Sequence, residues 1–523
     1  MKVFENAAFL SCEKENKVYS KLVEDRGRIV FLGDELPSAY ANAPRVDLKG
    51  ATAVPAFADT HMHFESFALF HSTVDVRWAK DFADMGRILR AYADAHPKDK
   101  VIPAYGCSAH IVAEKRPVTR ADLDSMIARP LMIIKYDGHA AVCNSALLQL
   151  FPAEVTNDPG CDRETGWLYQ NAFYKGTNFI TGQIPIPTVL RSLVEASNYL
   201  TRNGIGMVHT VEGVGYAGDV DIDMMRVCRY ALPQSFRIFF QTMNVRNVTK
   251  RQMTHIGGCF KLALDGCFGS QDAALSEGYA DDPENHGFLA YTQEQVNDFC
   301  VQANRAGLQI AMHAIGDAAV EQAVTALETA LADQPNPDAR HIIIHADLCK
   351  PEHQRRIHAL GVCVALQPAF LDWPQEPASY LETLLGKDRA DSIEPLREMM
   401  DAGITLSSGS DAPCTLPDPI ASIRISCNHP TPSQSLTVLE ALRMHTLNAA
   451  FTTHDEKERG SLTVGKRCDL TILEKNPLMQ EISELGENRV QALYLEGKLV
   501  STLHCSLPGL LWRAAMGKLR GKD

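Results

Sequence analysis

A short apolar run that ends in one or two polar residues, followed by a helix-like stretch, recurs along most of this sequence. Such runs, without strict alternation of apolar and polar residues, are typical of strands buried on both faces of a parallel sheet. Eight of them are present: Ala53–Ala58, Gly206–Val211, Phe236–Gln241, Cys259–Leu264, Leu308–Met312, His341–Ile344, Val362–Leu366 and Ile404–Ser408. Eight strand–helix units predict an α/β fold built on a (β/α)8 TIM barrel, whose active site lies at the carboxyl ends of the strands.

The segments between the runs have the periodicity of amphipathic helices. Thr292–Ala306 and Gly316–Ala332 both carry apolar residues at helical spacing. The first segment opens with Thr292 and has Gln295 three residues later, which is the pattern of a capping box at the start of a helix. We therefore predict helices in both segments.

Two parts of the chain do not fit a bare barrel. About 150 residues separate the first predicted strand from the second, which indicates an inserted subdomain at roughly 64–200. Both chain ends contain short strand-like segments with glycine turns, such as RGRIVFLGD and VQALYLEGKLV. We predict that residues 1–54 and 458–523 together form a small β-sandwich domain beside a barrel at 55–457.

Charge and composition exclude several functions. The formal net charge is −13, so a broad phosphate-binding surface, and with it nucleic-acid binding, is not expected. The 14 cysteines include no CxxC pair, which favours free thiols in a reducing cytoplasm over a disulfide framework. Neither a signal peptide nor an apolar stretch of the ~18 residues of a membrane span is evident. We expect a cytoplasmic protein that binds no membrane.

Polar residues at the ends of the predicted strands have the chemistry of metal ligands. His61 and His63 follow the first strand, and residues two apart in a strand point to the same side. The others are Lys261 on strand four, His313 on strand five, His345 on strand six and Asp411 after strand eight. Neutral imidazole and carboxylate groups bind zinc and similar divalent ions. Together these residues predict a metal site at the carboxyl ends of the strands.

Several motifs give the chain a family resemblance. DTHMH, HAIGD, IIIHAD and SGSDAP resemble those of the metal-dependent amidohydrolase superfamily. YDGHAAVCNSALL and FKLALDGCFGSQDAALSEGY are similar to its YtcJ-like branch, which includes N-substituted formamide deformylases. The closing segment GSLTVGKRCDLTIL is similar to the composite β domain of that superfamily. The resemblance implies a metal-dependent enzyme that acts on carbon–nitrogen bonds other than peptide bonds in a small molecule, and often a homodimer.

The resemblance also implies a binuclear metal site. One ion would be bound by His61 and His63, and the other by His313 and His345. Lys261, if carboxylated by CO₂, would bridge the two ions. As an ammonium group, Lys261 would instead be an electrostatic neighbour of a mononuclear site or a partner of Asp265. Zinc is the expected metal, with manganese, iron or cobalt as alternatives.

The catalytic roles follow from the same resemblance. Asp411 would contact the first metal, take a proton from a metal-activated hydroxide and pass it to the leaving nitrogen. His139, in YDGHAAV, would orient the substrate or stabilise the oxyanion, or else satisfy loop carbonyls. Asp317 would orient an imidazole or cap the following helix. Gly266, Gly269 and Ser270 would form a tight loop over the site, which either contacts the substrate or is only a connecting loop.

Three further residues have open roles. Glu212, in VHTVEGVG, stands near the place where many relatives have an aspartate. Asp272 ends the segment Ser270-Gln271-Asp272, where relatives commonly carry Ser-Arg-Thr, so an anion replaces a cation near the substrate. Cys414 follows SDAP closely and is either a thiolate near the metal or a small core thiol.

The predicted function is the hydrolysis of an N-substituted amide or formamide. A cyclic amidase or a deaminase would use the same site. The alternative from another class is a catalytically silent barrel that senses a small molecule. The sequence contains no G-x-S-x-G motif, so a covalent serine hydrolase is a poor fit.

Overall fold

The structure is a computed structural model that describes residues 1–214, 217–504 and 506–519, with the side chains of residues 217, 260, 261 and 507 outside the description. Its strands are, in chain order, β1 (Lys2–Leu10), β2 (Val18–Asp25), β3 (Arg28–Gly33), β4 (Arg45–Pro55), β5 (Phe57–Met62), β6 (Val74–Asp75), β7 (Ile102–Cys107), β8 (Leu131–Lys135), β9 (Ala140–Cys143), β10 (Trp167–Tyr169), β11 (Ile205–Glu212), β12 (Ser235–Phe240), β13 (His255–Ala263), β14 (Gln309–Ala314), β15 (Ile342–His345), β16 (Cys363–Leu366), β17 (Leu406–Ser408), β18 (Leu470–Leu473), β19 (Val490–Leu495) and β20 (Lys498–Leu499).

The helices surround and connect these strands. They are α1 (Phe64–His71), α2 (Phe82–Ala95), α3 (Arg120–Met126), α4 (Ser145–Leu148), α5 (Ala153–Thr156), α6 (Gln170–Thr181), α7 (Ile186–Arg202), α8 (Val220–Cys228), α9 (Val245–Lys250), α10 (Gln293–Arg305), α11 (Asp317–Asp333), α12 (Pro351–Ala359), α13 (Ala378–Leu385), α14 (Lys387–Ala390), α15 (Leu396–Asp401), α16 (Pro419–Cys427), α17 (Val438–Met444), α18 (Leu447–Thr452) and α19 (Leu507–Leu519). Short 3-10 helices occupy Ser38–Tyr40, Ala217–Asp219, Phe268–Ser270, Pro368–Asp372, Pro432–Gln434, Pro477–Met479 and Ile482–Glu487.

Eight parallel strands form the barrel sheet. Their order is β17-β16-β15-β14-β13-β12-β11-β5. The two edges of this sheet meet just beyond β17, where the Asp411 N–H donates to the His61 carbonyl of β5 at 2.8 Å. The His63 N–H donates in turn to the Ala412 carbonyl at 2.9 Å. These bonds nearly close the sheet into a ring, which is consistent with the predicted TIM barrel.

The position of the first barrel strand was predicted wrongly. The apolar run Ala53–Ala58 predicts one strand, whereas Ala53 lies within β4 and the barrel strand β5 begins at Phe57. β4 pairs with β18 outside the barrel sheet. Because residues 51–55 and 57–62 are all buried, the apolar pattern carries no sign of the boundary between the two strands. The other seven runs overlap β11 to β17.

The predicted helix start at Thr292 is confirmed. The Thr292 N–H donates to Gln295 Oε1 at 2.9 Å, and the Gln295 N–H donates to Thr292 Oγ1 at 3.3 Å. These reciprocal bonds are a capping box, which satisfies amide groups that the first turn leaves without helical partners. Helix α10 therefore begins where the sequence indicates, and it packs beside α11 on the outside of the barrel.

Strands from both chain ends form one mixed sheet. Its order is β20-β19-β18-β4-β1-β2-β3, in which β1 and β4 run parallel and the other pairs antiparallel. Apolar side chains from both ends, including Phe4, Phe9 and Leu470, pack into a single core there. The sandwich arrangement and the domain boundaries remain predictions.

The segment between β5 and β11 has a sheet of its own, in the order β10-β9-β8-β7-β6. An apolar cluster lies on each face of this sheet, because successive residues of β8 belong to different clusters: Ile133 to one and Ile134 to the other. Arg77 of this segment donates to the carbonyl of Pro413, just after Asp411, at 3.2 Å. The segment therefore lies against the mouth of the barrel, where it supplies one wall of the site.

None of the helices in the described parts of the chain has both the length and the apolar character to cross a membrane.

Candidate metal centre

Two histidines and an aspartate meet at the carboxyl end of β5. His61 belongs to that strand, and His63 stands directly before α1. Asp411 lies in the loop after β17, with its backbone in the left-handed region at φ 52°. Asp411 Oδ1 is 3.1 Å from His61 Nε2 and 3.3 Å from His63 Nε2. All three residues are buried, so the polar atoms converge in a place with little access to water.

The other two histidines lie on neighbouring strands of the same edge. His313 is on β14 and His345 ends β15, and their ring centroids are 4.5 Å apart. The ring of His345 is also 5.5 Å from that of His61. His345 and Ala346 both have left-handed backbones, with φ of 72° and 57°. This conformation is unfavourable for residues other than glycine, and it ends the strand at the site itself.

The ring of His313 is oriented by groups that the sequence analysis did not connect with it. Its Nε2 is 3.1 Å from the carbonyl of Gly266 and 3.4 Å from Asp265 Oδ1, so Nε2 carries the hydrogen. Asp265 is itself held by backbone N–H groups of Ala274, Ile315 and Gly316 at 2.8–3.0 Å. His313 Nδ1 then presents its lone pair, and it is buried with no partner among the described residues. Such a fixed tautomer prepares a histidine to bind a cation.

Burial and neighbouring charges set the protonation states. Burial lowers the pKa of His61 and of His345, which favours the neutral imidazole that binds metals. Burial also opposes charge on His313, but the Asp265 carboxylate outweighs it and raises the pKa of His313. The Asp265 carboxylate would equally stabilise a metal ion bound at His313 Nδ1, where a second proton would otherwise bind. Burial disfavours the charged form of Asp411, yet His61 and His63 hold its pKa well below the usual range.

Cys259 joins this group although the sequence analysis did not single it out. It lies on β13, is buried, and places its Sγ 3.3 Å from His61 Nε2 and 4.0 Å from His345 Nε2. A signal was present, because Cys259 stands two residues before Lys261 on the same strand. Lys261 belongs to β13, but its side chain lies outside the described residues, so its carboxylation remains a prediction.

The donor atoms fall into overlapping sets that fit a metal. In each set the donor atoms lie within 4.8 Å of one another; the sets are His61 with His63 and Cys259, Cys259 with His313 and His345, and His61 with His345 and Asp411. Imidazole, thiolate and carboxylate are the groups that bind zinc and related ions. The Nδ1 atoms of His313 and His345 are buried with no partner among the described residues, as expected where a ligand is to be bound.

Two cavities share His139 in their lining, and the inner one adjoins the candidate metal ligands. The inner one, of about 80 Å³, is lined by His63, His313 and Asp411 and by a wall of aromatic side chains: Phe70, Tyr105, Phe173 and Tyr174. The outer one, of about 840 Å³, is lined largely by the segment between β5 and β11. His139 lines both cavities, and its ring is 6.5 Å from that of His313. The structure thus places His139 near the candidate ligand His313, in the lining of both cavities.

The loops around His139 are fixed by buried polar contacts. Asp137 Oδ2 accepts from Lys135 Nζ at 2.6 Å and from Ser270 Oγ at 3.0 Å. Burial opposes the charge on Asp137, but Lys135 outweighs it and lowers the pKa of Asp137 to about 2. A Cβ atom on Gly269 would lie 1.8 Å from Glu376 Oε1. Any side chain at this position would have to displace the Glu376 carboxylate, so glycine permits the close approach.

The residues with open roles belong to none of the described donor sets that contain histidines. Glu212 Oε1 accepts from Thr210 Oγ1 at 2.6 Å, and Glu212 groups with the buried carboxylates of Glu65 and Asp221. Asp272 Oδ1 accepts from the backbone of its own loop at 2.7 Å and lines the outer cavity. Cys414 lines the inner cavity, but it belongs to none of the described donor sets.

Asp317 neither orients an imidazole nor caps the following helix, the two roles expected of it. The cap of α11 is Gly316, and Asp317 is the first residue of the helix. Its carboxylate pairs with Lys350 at 2.6 Å and accepts from the Ser276 N–H at 2.9 Å. Asp265, rather than Asp317, contacts the imidazole of His313, because Asp265 lies at the end of the neighbouring strand.

The chain is similar to known proteins over most of its length. Residues 45–501 match the Amidohydrolase family. The chain is 26% identical to YtcJ of Bacillus subtilis, which is named as an amidohydrolase, over 92% of this chain and 98% of that protein. It is 25% identical to the N-substituted formamide deformylase of Arthrobacter pascens, over 94% and 97%. A crystal structure described as a metal-dependent hydrolase from Pyrococcus furiosus superposes with a TM-score of 0.72 at 26% identity, covering 91% of this chain and 99% of that one.

The chain therefore belongs to the amidohydrolase family, since the match covers most of its length. It is an enzyme of the metal-dependent type that hydrolyses carbon–nitrogen bonds other than peptide bonds.

Proposed function

We propose that this enzyme hydrolyses the carbon–nitrogen bond of an N-substituted amide, most simply a formamide. The observation that carries the proposal is the pair of unequal cavities on either side of His139. The inner cavity beside Asp411 and His313 has about 80 Å³ of space, whereas the outer cavity has about 840 Å³. A formamide combines a very small acyl group with a bulky nitrogen substituent, which matches this pair of spaces.

The walls of the cavities suit an uncharged substituent. Phe82, Trp167 and Tyr169 contribute aromatic surface to the outer cavity. The Lys135 ammonium in this wall is neutralised by Asp137, at 2.6 Å. An apolar or aromatic N-substituent is therefore favoured over a strongly charged one. The similarity to the deformylase from A. pascens supports the same class of substrate.

The described donor sets support a metal site formed by the four histidines and Asp411. We propose that two divalent ions, zinc first, would be held by His61 with His63 and by His313 with His345, and that Lys261, if carboxylated, would be a further ligand. Such ions lower the pKa of water toward neutrality and polarise a carbonyl oxygen. Asp411 is ionised and lies at the inner cavity, so its carboxylate takes the proton of the attacking water and delivers it to the leaving nitrogen.

A series of amides tests this proposal. Formyl, acetyl, propionyl and butyryl amides of a single arylalkylamine are compared by kcat/KM. Because the inner cavity is small, each added methylene is expected to lower kcat/KM by about 10-fold or more. Varying the aryl group on the formamide should change kcat/KM far less.

Two variants test whether the inner cavity limits the size of the acyl group. Phe173→Ala enlarges the inner cavity and is expected to restore part of the activity toward the propionyl amide. Tyr169→Ala, which alters only the outer cavity, serves as its control. Equal rates for formyl and butyryl amides in the unmodified enzyme would contradict the assignment of the acyl group to the inner cavity.

His139 is proposed to hold the carbonyl oxygen of the substrate as charge develops on it. His139→Gln should lower kcat by about 100-fold, with little change in KM and unchanged metal content, because an oxyanion donor acts mainly in the transition state. His110→Gln is the control, since His110 lines only the outer cavity. Loss of metal from His139→Gln, or full activity, would remove this role.

A further inference from the structure

The sulfur of Cys259 occupies a central position among the metal ligands. It is 3.3 Å from Nε2 of His61 and 4.0 Å from Nε2 of His345. It shares one donor set with His61 and His63, and another with His313 and His345. Cys259 thus lies within 4.8 Å of the donor atoms of all four histidines. A ligand shared by two ions needs this kind of position.

The conformation of the two residues before Cys259 positions its side chain among the histidines. Gly257 and Gly258 have φ of 104° and 133°, and the pairing of β13 with β14 shifts register after Gly258. A Cβ on Gly257 would lie 2.0 Å from the carbonyl oxygen of Ala311. The two glycines therefore allow an irregular strand that approaches β14 closely and presents Cys259 at the site.

The chemistry of a thiolate suits this position. The four imidazoles are neutral as ligands. Of the other described donors, Asp411 is an anion and Cys259 is a thiol that can become one. A thiolate adds a second negative charge, binds zinc strongly, and has lone pairs for two ions. The thiol proton passes to solvent when the sulfur binds the metal.

We infer that Cys259 is a metal ligand of this enzyme, and that it would hold an ion as a thiolate together with the histidines of the donor sets it shares. The inference rests on the proposed function for the presence of the ions, and it adds a sulfur ligand to the nitrogen and oxygen ligands that the family resemblance implies. The competing description is a buried core thiol, because Cys259 also belongs to an apolar cluster inside the barrel that contains Cys363.

X-ray absorption at the zinc edge distinguishes the two descriptions. The zinc-loaded enzyme is expected to show a sulfur neighbour at about 2.3 Å, the usual zinc–thiolate distance. Cys259→Ser should lose it, while Cys363→Ser, a buried cysteine of the same apolar cluster, should keep it. With cobalt in place of zinc, a sulfur-to-cobalt charge-transfer band in the near ultraviolet should follow the same pattern. Cys259→Ala provides the same comparison if the serine variant does not fold.

The outcomes separate this inference from the proposed function. An active, metal-loaded enzyme with only nitrogen and oxygen neighbours would overturn the cysteine ligand and leave the hydrolase intact. Retention of the sulfur neighbour in Cys259→Ser would overturn it as well. A protein that binds neither zinc nor cobalt would contradict both proposals at once.

Discussion

Asp411→Asn is expected to lower kcat/KM by about 10²–10⁴-fold, the usual contribution of a general base that also acts as the acid. The carboxylate is ionised because His61 and His63 hold its pKa well below the usual range. Asparagine keeps the size and one oxygen of the side chain, but it cannot accept and deliver a proton. Steady-state kinetics on the best formamide, with metal analysis of the same preparation, measures the effect.

The metal content decides how this loss is interpreted. We expect Asp411→Asn to retain most of its metal, because the four histidines remain. Asp418→Asn is the matched control: Asp418 caps α16 through its side chain, a role that asparagine also fills, so activity should not change. Full activity in Asp411→Asn would remove the aspartate from the mechanism, and no turnover in either the variant or the unmodified protein would favour a sensor.

His313→Ala and His345→Ala are each expected to lower the bound metal by about one equivalent per chain. The two residues lie on adjacent strands and share a donor set with Cys259. Removing one of them leaves the second ion with too few ligands, and loss of even an orienting partner commonly costs 10–100-fold in metal affinity. Plasma mass spectrometry on protein purified without chelators gives the ratio.

His358→Ala is the control for these variants. His358 is exposed on α12, and its Nδ1 is 3.1 Å from the carbonyl of Gly403, so its removal should leave the metal content unchanged. Circular dichroism and thermal unfolding of all three variants separate metal loss from unfolding. Metal content equal to that of the unmodified enzyme in both His313→Ala and His345→Ala would contradict the second ion position.

The barrel could be predicted because its signal is local. A strand buried on both faces is a short apolar run, and the runs at 206–211 and 236–241 coincide with β11 and β12 to within one residue at each end. The failure at β5 has the same origin. β4 and β5 follow each other as one apolar stretch around Phe57, and only the non-local pairing of β4 with β18 separates them.

The site was partly predictable for a related reason. His61, His313 and His345 lie at strand ends. The barrel brings these side chains together irrespective of the conformation of the loops. The role of Asp265 depends on backbone N–H groups from three other positions, 274, 315 and 316. Nothing next to Asp265 in the sequence indicates these contacts. The cavity walls likewise come from the segment between β5 and β11, whose packing against the barrel has no local signature.

The metal content of the unmodified enzyme tests the central claim most directly. Protein purified without chelators, and then supplied with zinc or manganese, is analysed by plasma mass spectrometry. The ligand geometry predicts close to two equivalents per chain. A value near one would contradict the paired site and leave a single ion at His61, His63 and Asp411. A protein that stays metal-free even with added zinc or manganese would contradict metal-dependent hydrolysis at this centre altogether.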